Sequence, residues 1–237
     1  MNILRAWLIA VPCVASTASV GYDFYVFATS WQPEFCYNQA YVGCQEPNPF
    51  WSTSLTIHGM WPEWNNGSYP ATCDAEAFDK SVTDKIGMDT MTKFWPNVQY
   101  DVADAKYTSF WEHEWTKHGT CSGLDQTSYF NLALGAAPTT PSIIASNVGG
   151  SISKSDLMSG YGGENFAVPQ CCNGEFLNQI LVCVAINAET GKPGVMFECP
   201  DVVVAEGSCG DSITISAFPG SSKSSKSSKI KIEVERN

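Results

Sequence analysis

The sequence predicts an α+β fold, a single disulfide-stapled domain whose central, mostly antiparallel sheet is packed with helices. Strand-like and helix-like segments are interspersed along the chain without the regular alternation of a βαβ fold. The 237 residues are 44% hydrophobic and include 8 Trp, which provides for a sizeable core and excludes a polar disordered chain. The ten cysteines are far more than a cytosolic enzyme of this size normally carries, so they indicate a disulfide framework.

The first elements are two predicted strands. Residues 22–31 are aromatic and β-branched with little helical character, which predicts a buried strand. Residues 53–58 alternate between apolar and polar side chains, which predicts a second strand with His58 on its polar face. Pro62 lacks the N–H group that a strand ladder needs, so we expect it to help end this strand.

The middle of the chain predicts helices. Over residues 81–95, apolar side chains recur at helical spacing, which predicts one amphipathic helix that ends at Pro96. Residues 108–118 form the next predicted helix, and Gly119 suits its C-terminal cap. A short helix is expected at 129–134.

The rest of the chain returns to strands. Residues 136–163 are rich in Gly, Ser and Pro with few apolar anchors, which predicts loops with a marginal helix. Strands are predicted over 176–186, 195–199 and 212–218.

The two ends of the chain differ in composition from the body. Arg5 precedes an apolar run that is followed by small residues, so residues 1–18 read as a secretory signal peptide; the alternative is a buried segment of the domain. Residues 221–237 carry five basic and two acidic side chains in a Ser/Lys-rich stretch, which predicts a disordered tail. The domain proper is therefore expected at 19–220. The net charge of −11 excludes a generally basic protein that coats nucleic acid.

Secretion agrees with the cysteine content. Removal of the signal peptide takes Cys13 with it and leaves an odd number of cysteines, so one thiol is either free or paired between chains. Cys36 and Cys44 lie close enough in one loop to close a small disulfide ring. Asn66 begins the chain's only Asn-x-Ser/Thr sequon, in a segment typical of an exposed loop, which predicts glycosylation.

The three histidines of the chain are confined to two short aromatic-rich segments. His58 lies in the segment 55–62, and the other two lie in 110–121. On a helix, His113 and His118 are about 140° apart, with Lys117 and Glu114 between them. One face of this helix therefore presents two imidazoles, an ammonium and a carboxylate.

Three interpretations of this face compete. It could be a solvated charged surface, although that leaves the confinement of histidine to these segments unexplained. A zinc site resembling the zincin motif needs histidines at i and i+4, whereas His113 and His118 are at i and i+5. Metal-free acid–base chemistry needs two imidazoles, one protonated and one neutral, and this arrangement supplies them. A lysine beside them can stabilise charge on a phosphoryl oxygen, so cleavage of RNA by its own 2′-OH fits best.

The two segments resemble the active-site signatures of the T-two family of secreted acid ribonucleases, which includes the fungal Rh-type and plant S-type enzymes. His-Gly-Met-Trp-Pro at 58–62 stands where that family usually has His-Gly-Leu-Trp-Pro. The second signature, Phe-Trp-x-His-Glu-Trp-x-Lys-His-Gly-Thr-Cys, matches 110–121 without a gap. A looser similarity extends from about Tyr22 to Pro219. The resemblance implies a ribonuclease catalytic domain of α+β fold.

The resemblance also implies a role for each polar residue of the two signatures. His118 corresponds to the general base that takes the 2′-OH proton, and His58 to the general acid that protonates the 5′-oxygen. Glu114 and Lys117 correspond to the pair that stabilises the pentacovalent phosphorane, and His113 to a phosphate-binding histidine. The implied products are a 2′,3′-cyclic phosphate and then a 3′-phosphate.

Substrate and partners follow from the same resemblance. Trp61 corresponds to the stacking platform of the main base pocket, and Phe110 lines the neighbouring pocket. The expected partner is single-stranded RNA, with no metal, no cofactor, no membrane, no obligate protein partner and a monomeric state. The expected location is extracellular, or vacuolar or lysosomal after the secretory pathway. The main alternative is a catalytically silent secreted binding protein on the same scaffold.

The family's disulfides imply four bridges in this chain. The fourth joins Cys209 to Cys171 or Cys172, and we assign Cys172 to it. The other three are Cys36–Cys44, Cys73–Cys121 and Cys183–Cys199. The Cys73–Cys121 bridge is expected to link the end of the catalytic helix to the loop beyond His58.

Overall fold

The structure is a computed structural model that describes residues 21–187 and 189–219. The predicted signal peptide at 1–18 and the predicted tail at 221–237 lie outside these residues. Helices surround a mixed open sheet within them, so the predicted α+β class is confirmed. No helix in this part of the chain is long and apolar enough to cross a bilayer.

One sheet organises the described part of the chain. Its strands are β1 (Phe24–Ser30), β2 (Thr56–Glu63), β3 (Ser151–Ser153), β4 (Val168–Cys172), β5 (Phe176–Ile186), β6 (Pro193–Phe197) and β7 (Ser212–Thr214). The strand order is β2-β1-β5-β7-β3, and β4 and β6 also pair with β5. Every pairing is antiparallel except a short parallel contact between β5 and β7.

Short helices surround this sheet. They are α1 (Gln32–Phe35), α2 (Val42–Gln45), α3 (Lys80–Ile86), α4 (Met88–Phe94), α5 (Ser109–Lys117), α6 (Gln126–Ala136), α7 (Ser142–Ser146), α8 (Lys154–Gly160) and α9 (Asp201–Val204). The predicted helix over 108–118 corresponds to α5, and that at 129–134 lies within the longer α6, which Asp125 caps.

The sheet separates two apolar clusters. Along β1, Tyr25 and Phe27 pack into the main cluster, whereas Phe24 and Val26 pack into a second cluster on the other face. All four side chains are nearly inaccessible to water. A strand that is buried on both faces reads as a continuous apolar run, which is the pattern that predicted it.

The predicted single helix over 81–95 is wrong. Two helices, α3 and α4, meet at Gly87, whose φ of 108° lies far outside the helical range. Both helices keep the predicted apolar face, because Val82 and Met91 are buried in the main cluster. The apolar periodicity therefore continues across the two helices, and only the glycine indicates that the helix is interrupted.

The predicted end of the second strand is also wrong. β2 continues through Pro62 to Glu63, and Pro62 pairs in register with Tyr25 of β1. β2 lies at one end of the strand order, and an edge strand is the place in a sheet where a proline is tolerated.

The segment 136–163 holds more structure than predicted, since α7, β3 and α8 all lie in it. β4 was not predicted at all. The strands predicted at 195–199 and 212–218 are shifted to β6 and shortened to β7. β3 and β7 pair over three residues only, which is too short for a periodic signal.

Four disulfide bonds tie these elements together. They are Cys36–Cys44, Cys73–Cys121, Cys183–Cys199 and Cys171–Cys209. The predicted bridge between Cys172 and Cys209 is therefore wrong. Cys171 packs towards the main cluster, and its N–H group donates to Ser208 beside Cys209. Cys172 is exposed with a free thiol, because adjacent strand residues point to opposite faces.

Candidate active site

Two elements bring most of the predicted side chains together. β2 supplies His58 and Trp61, and α5 supplies Glu114 and Lys117. His118 is the C-cap residue of α5, which ends one residue earlier than predicted.

A β-bulge aims His58 into the site. In the register of β1 and β2, Ala28 faces Gly59 and Thr29 faces Ile57, so His58 is the extra residue. A bulge shifts the two-residue alternation of side chains by one position. His58 and Trp61 therefore project to the same side, with their ring centroids 5.1 Å apart.

Glu114 lies at the centre of the cluster. Its side chain is 1% exposed, and its Oε1 is 3.7 Å from His58 Nε2. Its Oε2 accepts a 2.8 Å hydrogen bond from Trp61 Nε1. Burial raises the pKa of Glu114 to about 8, although the Trp61 bond and the charge of Lys117 oppose the shift.

Gly59 makes this close approach possible. A Cβ atom at position 59 would overlap both Trp61 Nε1 and Glu114 Oε2. The glycine of the His-Gly-Met-Trp segment is therefore required by space rather than by backbone conformation.

His118 contacts the same indole ring as His58. The rings of His118 and Trp61 are stacked, with centroids 5.1 Å apart and an interplanar angle of 26°. Burial, together with the charge of Lys117, lowers the pKa of His118 to about 3. Its buried Nδ1 has no hydrogen-bond partner among the described residues. The ring is therefore neutral over most of the pH range.

His58 is anchored from two further elements. Its backbone carbonyl accepts a bond from Trp95 Nε1 at 2.8 Å, and its Nδ1 lies 2.6 Å from Gln179 Oε1 on β5. Burial lowers the pKa of His58, and the Gln179 bond opposes this shift.

The other polar residues of the predicted site lie further out. His113 is exposed on α5, and its charge lowers the pKa of both His58 and His118. Lys117 places its Nζ 5.4 Å from the ring centroid of Tyr69, which in turn lies 5.9 Å from that of His118. These contacts put the Lys117 ammonium at the rim of the buried cluster.

Phe110 borders a cavity beside His58. Its ring centroid is 5.5 Å from that of His58. The cavity has a volume of about 330 Å³, and its walls include His58, Phe110, Gln179, Asn178, Gln32 and Asn97. Aromatic and amide side chains thus line the space next to this imidazole.

A disulfide bond fixes the end of α5. Cys73 is bonded to Cys121, three residues after His118. Thr72 N–H donates to the carbonyl of Lys117 at 3.0 Å. The loop that follows β2 is therefore tied to the turn that carries His118.

Sequence reasoning missed three residues of this site. Gln179 is 121 residues from His58 along the chain, so no local spacing could reveal their contact. Tyr69 is an exposed aromatic in a loop, and its tilted contact with the His118 ring depends on tertiary structure. The steric role of Gly59 could be inferred only from its place between His58 and Trp61.

Within residues 21–187 and 189–219, no group of three or more His, Cys, Asp or Glu side chains is placed to hold a metal ion.

A disulfide-bonded α+β domain that gathers two imidazoles around a buried carboxyl group has the layout of an acid–base catalyst. The sequence model of the Ribonuclease T2 family matches residues 22–193. The chain therefore belongs to the Ribonuclease T2 family.

Individual relatives agree with this assignment. Ribonuclease 1 of Arabidopsis thaliana is 38% identical over 139 residues, which cover 55% of this chain and 57% of the relative. The chain thus spans little more than half of that plant protein. Ribonuclease DdI of Dictyostelium discoideum is 29% identical over 226 residues, which cover 84% of this chain and 92% of the relative.

A solved structure shares the fold. The crystal structure of RNase NT in complex with 5′-AMP matches with a TM-score of 0.65 and 25% identity. The match covers 83% of this chain and 99% of RNase NT.

Proposed function

We propose that the protein is a secreted, metal-independent endoribonuclease that cleaves single-stranded RNA through the 2′-OH group of its own substrate. The observation that carries this proposal is the placement of His58 and His118. Their ring centroids each lie 5.1 Å from that of Trp61, whose Nε1 donates a hydrogen bond to the buried Glu114. One phosphodiester group between the two imidazoles would be within reach of both.

The first step is a transesterification. His118 takes the proton of the 2′-OH group, and O2′ attacks the adjacent phosphorus. His58 gives its Nε2 proton to O5′ as the P–O5′ bond breaks, which leaves a 2′,3′-cyclic phosphate. The low pKa of His118 supports its role as the base, because the ring stays unprotonated in acid.

Charge on the phosphorane is stabilised from α5. Because burial raises its pKa to about 8, Glu114 is a neutral acid at pH 5 and can donate a hydrogen bond to a phosphoryl oxygen. Lys117 and His113 add positive charge at the rim of the cleft. Together these three side chains would stabilise the negative charge of the transition state without a metal ion.

The second step opens the cyclic phosphate. The two imidazoles exchange roles: His58 removes a proton from water, and His118 returns a proton to O2′. The product is a 3′-phosphate end. DNA lacks the 2′-OH group, so it is not a substrate.

Two pockets would hold the bases on either side of the cleaved bond. The cavity beside His58 and Phe110 is on the side of the leaving O5′, so it would take the base of the leaving nucleotide. The other base would lie near Trp61. Because His118 covers one face of Trp61, the exposed ring of Tyr69 supplies further stacking surface there. RNase NT, which shares the fold, was solved with 5′-AMP bound.

Secretion rests on the signal-peptide pattern at 1–18 and on the four disulfide bonds. We place the catalytic domain at 19–220, the Ser/Lys-rich tail at 221–237 and a glycan on Asn66. Asn66 is exposed, and its Oδ1 accepts bonds from the N–H and hydroxyl groups of Ser68. The enzyme is proposed to act as a monomer without a protein partner.

Product analysis tests the proposal. The purified chain is incubated with dinucleoside monophosphates in excess EDTA, and the products are identified by mass. We expect cyclic phosphates that convert slowly to 3′-phosphates, and no cleavage by His58→Ala or His118→Ala. RNA binding without cleavage by the unaltered chain would instead support a silent binding protein. Loss of activity in EDTA would support a metal-dependent hydrolase.

A further inference from the structure

A chain of hydrogen bonds runs from His58 to the backbone of a distant segment. His58 Nδ1 lies 2.6 Å from Gln179 Oε1 on β5. Gln179 Nε2 donates to Gln170 Oε1 on β4 at 2.9 Å. Gln170 Nε2 reaches the backbone carbonyl of Glu206, after α9, at 3.4 Å. This series of hydrogen bonds thus ends on a carbonyl oxygen, which can only accept.

The Glu206 carbonyl sets the direction of every hydrogen bond in this series. The Glu206 carbonyl only accepts, so the Gln170 amide turns its NH2 group to Glu206 and its oxygen to Gln179. That oxygen requires the NH2 group of Gln179, which leaves the Gln179 oxygen facing His58. Since this oxygen also only accepts, Nδ1 of His58 must carry a proton.

We propose that Gln179 and Gln170 are positioning residues that hold His58 in the Nδ1–H form and aim its Nε2 at the leaving oxygen. The inference rests on the proposed function insofar as it takes His58 to be the acid. Nε2 faces Glu114 Oε1 at 3.7 Å, on the side of the ring that borders the reactive cluster.

The same bond serves both protonation states of the ring. The cation carries protons on both nitrogens, and it passes the Nε2 proton to O5′ as the P–O5′ bond breaks. The neutral ring that remains is the Nδ1–H form, which still donates to Gln179. His58 therefore keeps its orientation through the step without a change of tautomer.

A neutral amide suits an acid that must release its proton. The groups that act on the ring are Glu114, His113 and Lys117 from α5 and Gln179 from β5. The charges of His58 and His118 also interact. A carboxylate in place of Gln179 would favour the cation and make the Nε2 proton harder to release.

Ring nitrogen chemical shifts test the tautomer without reference to activity. With three histidines in the chain, ¹⁵N-histidine labelling gives three ring systems, and His58→Ala identifies one of them. At a pH where the ring is neutral, we expect His58 to carry its proton on Nδ1, the less common form of free histidine. Gln179→Leu should move the proton to Nε2. An Nε2–H ring in the unaltered chain would overturn the proposal, whether or not RNA is cleaved.

Kinetics on a dinucleoside monophosphate provide the second test. Gln179→Leu should lower kcat by about 10- to 100-fold, as for other residues that orient a functional imidazole. Gln170→Leu should lower kcat less, since it leaves Gln179 in place. Gln179→Glu should move the alkaline limb of the kcat/KM profile up by about one pH unit.

A matched control separates positioning from an unspecific charge effect. Gln45→Glu makes the same change on an exposed residue of α2, and its alkaline limb should stay at the position of the unaltered chain. If Gln179→Glu also leaves the limb unchanged, the proposal is contradicted. Should Gln179→Leu fail to fold, the Glu variant and the spectrum of the unaltered chain still decide the question.

Discussion

At the scale of single residues, the site depends on a carboxyl group that has been removed from water. Glu114 is held by Trp61 on one oxygen and faces His58 with the other. Its pKa rises from 4.5 to about 8 because the buried carboxylate would be poorly solvated. The folded chain therefore binds a proton at this residue that the unfolded chain releases.

This proton difference makes a stability prediction for Glu114→Gln. The contribution of the protonated carboxyl group is fully present below about pH 4.5 and is lost as pH rises towards 8. His58 and His118 have lowered pKa values and act in the opposite direction, but they do so in both proteins. The glutamine cannot ionise but can still accept the Trp61 bond. Between pH 5 and pH 8, the melting temperature of the unaltered chain should therefore fall relative to that of the variant.

Calorimetry at the two pH values measures this difference. The pKa of Glu63 is also raised, to about 7, and its contribution remains in both proteins. An equal change in both melting temperatures would show that Glu114 is not a buried acid. In the same variant, kcat should drop by about 100-fold, because an amide N–H is a far weaker acid than a carboxyl group and cannot pass a proton towards the phosphoryl oxygen.

The residues with acid–base side chains could be inferred from the sequence, but the residues that hold them in position could not. The identities of His58 and His118 stand out because histidine is so rare in the chain. Gln179 is one amide among many, and only the pairing of β5 with β1 brings it next to β2.

At the scale of elements, the turn after α5 depends on a covalent tie. Cys73–Cys121 holds the loop beyond β2 against the turn that carries His118. The double substitution Cys73→Ser/Cys121→Ser should lower the free energy of unfolding by about 2–5 kcal/mol. It should also lower kcat at a temperature where the variant is still folded, because His118 loses its fixed position.

The buried pair Cys183–Cys199 provides the control. It joins β5 to the segment before α9 and is separate from α5. Removing it should reduce stability with a smaller loss of kcat. Similar losses of kcat in the two double variants, measured at the same fraction folded, would argue against a specific role for Cys73–Cys121.

Elements were predictable where one physical signal dominated. β5 matches its expected range because its apolar run is long. The helix over 81–95 and the end of β2 were wrong because a glycine and an edge position overrode periodicity and proline rules. The bulge at His58 could not be foreseen, since it exists only in the register between two strands.

At the scale of the whole molecule, the acidic net charge of −11 and the histidine pKa shifts both favour activity in acid. In the proposed mechanism His118 is neutral as the base, and its pKa of about 3 allows this above pH 3. The mechanism also needs His58 to be protonated as the acid, and its lowered pKa confines this to pH values below 6.5. At higher pH the ionised carboxylates also repel RNA.

The pH profile should therefore have its maximum on the acid side of pH 6. The measurement is kcat/KM for single-stranded RNA from pH 3.5 to 8 at constant ionic strength. As pH rises, the rate should fall because His58 loses its proton, and the rate should not collapse between pH 6 and 4. A maximum above pH 7 is incompatible with these assignments.

The central claim is that His58 and His118 divide acid and base work across one phosphodiester. A dinucleotide with sulfur in place of the bridging 5′-oxygen separates the two roles, because a thiolate leaves without being protonated. We predict that His58→Ala cleaves this substrate at nearly the rate of the unaltered chain while failing on the oxygen substrate, and that His118→Ala fails on both. An equal loss by His58→Ala on the sulfur and oxygen substrates would contradict the account.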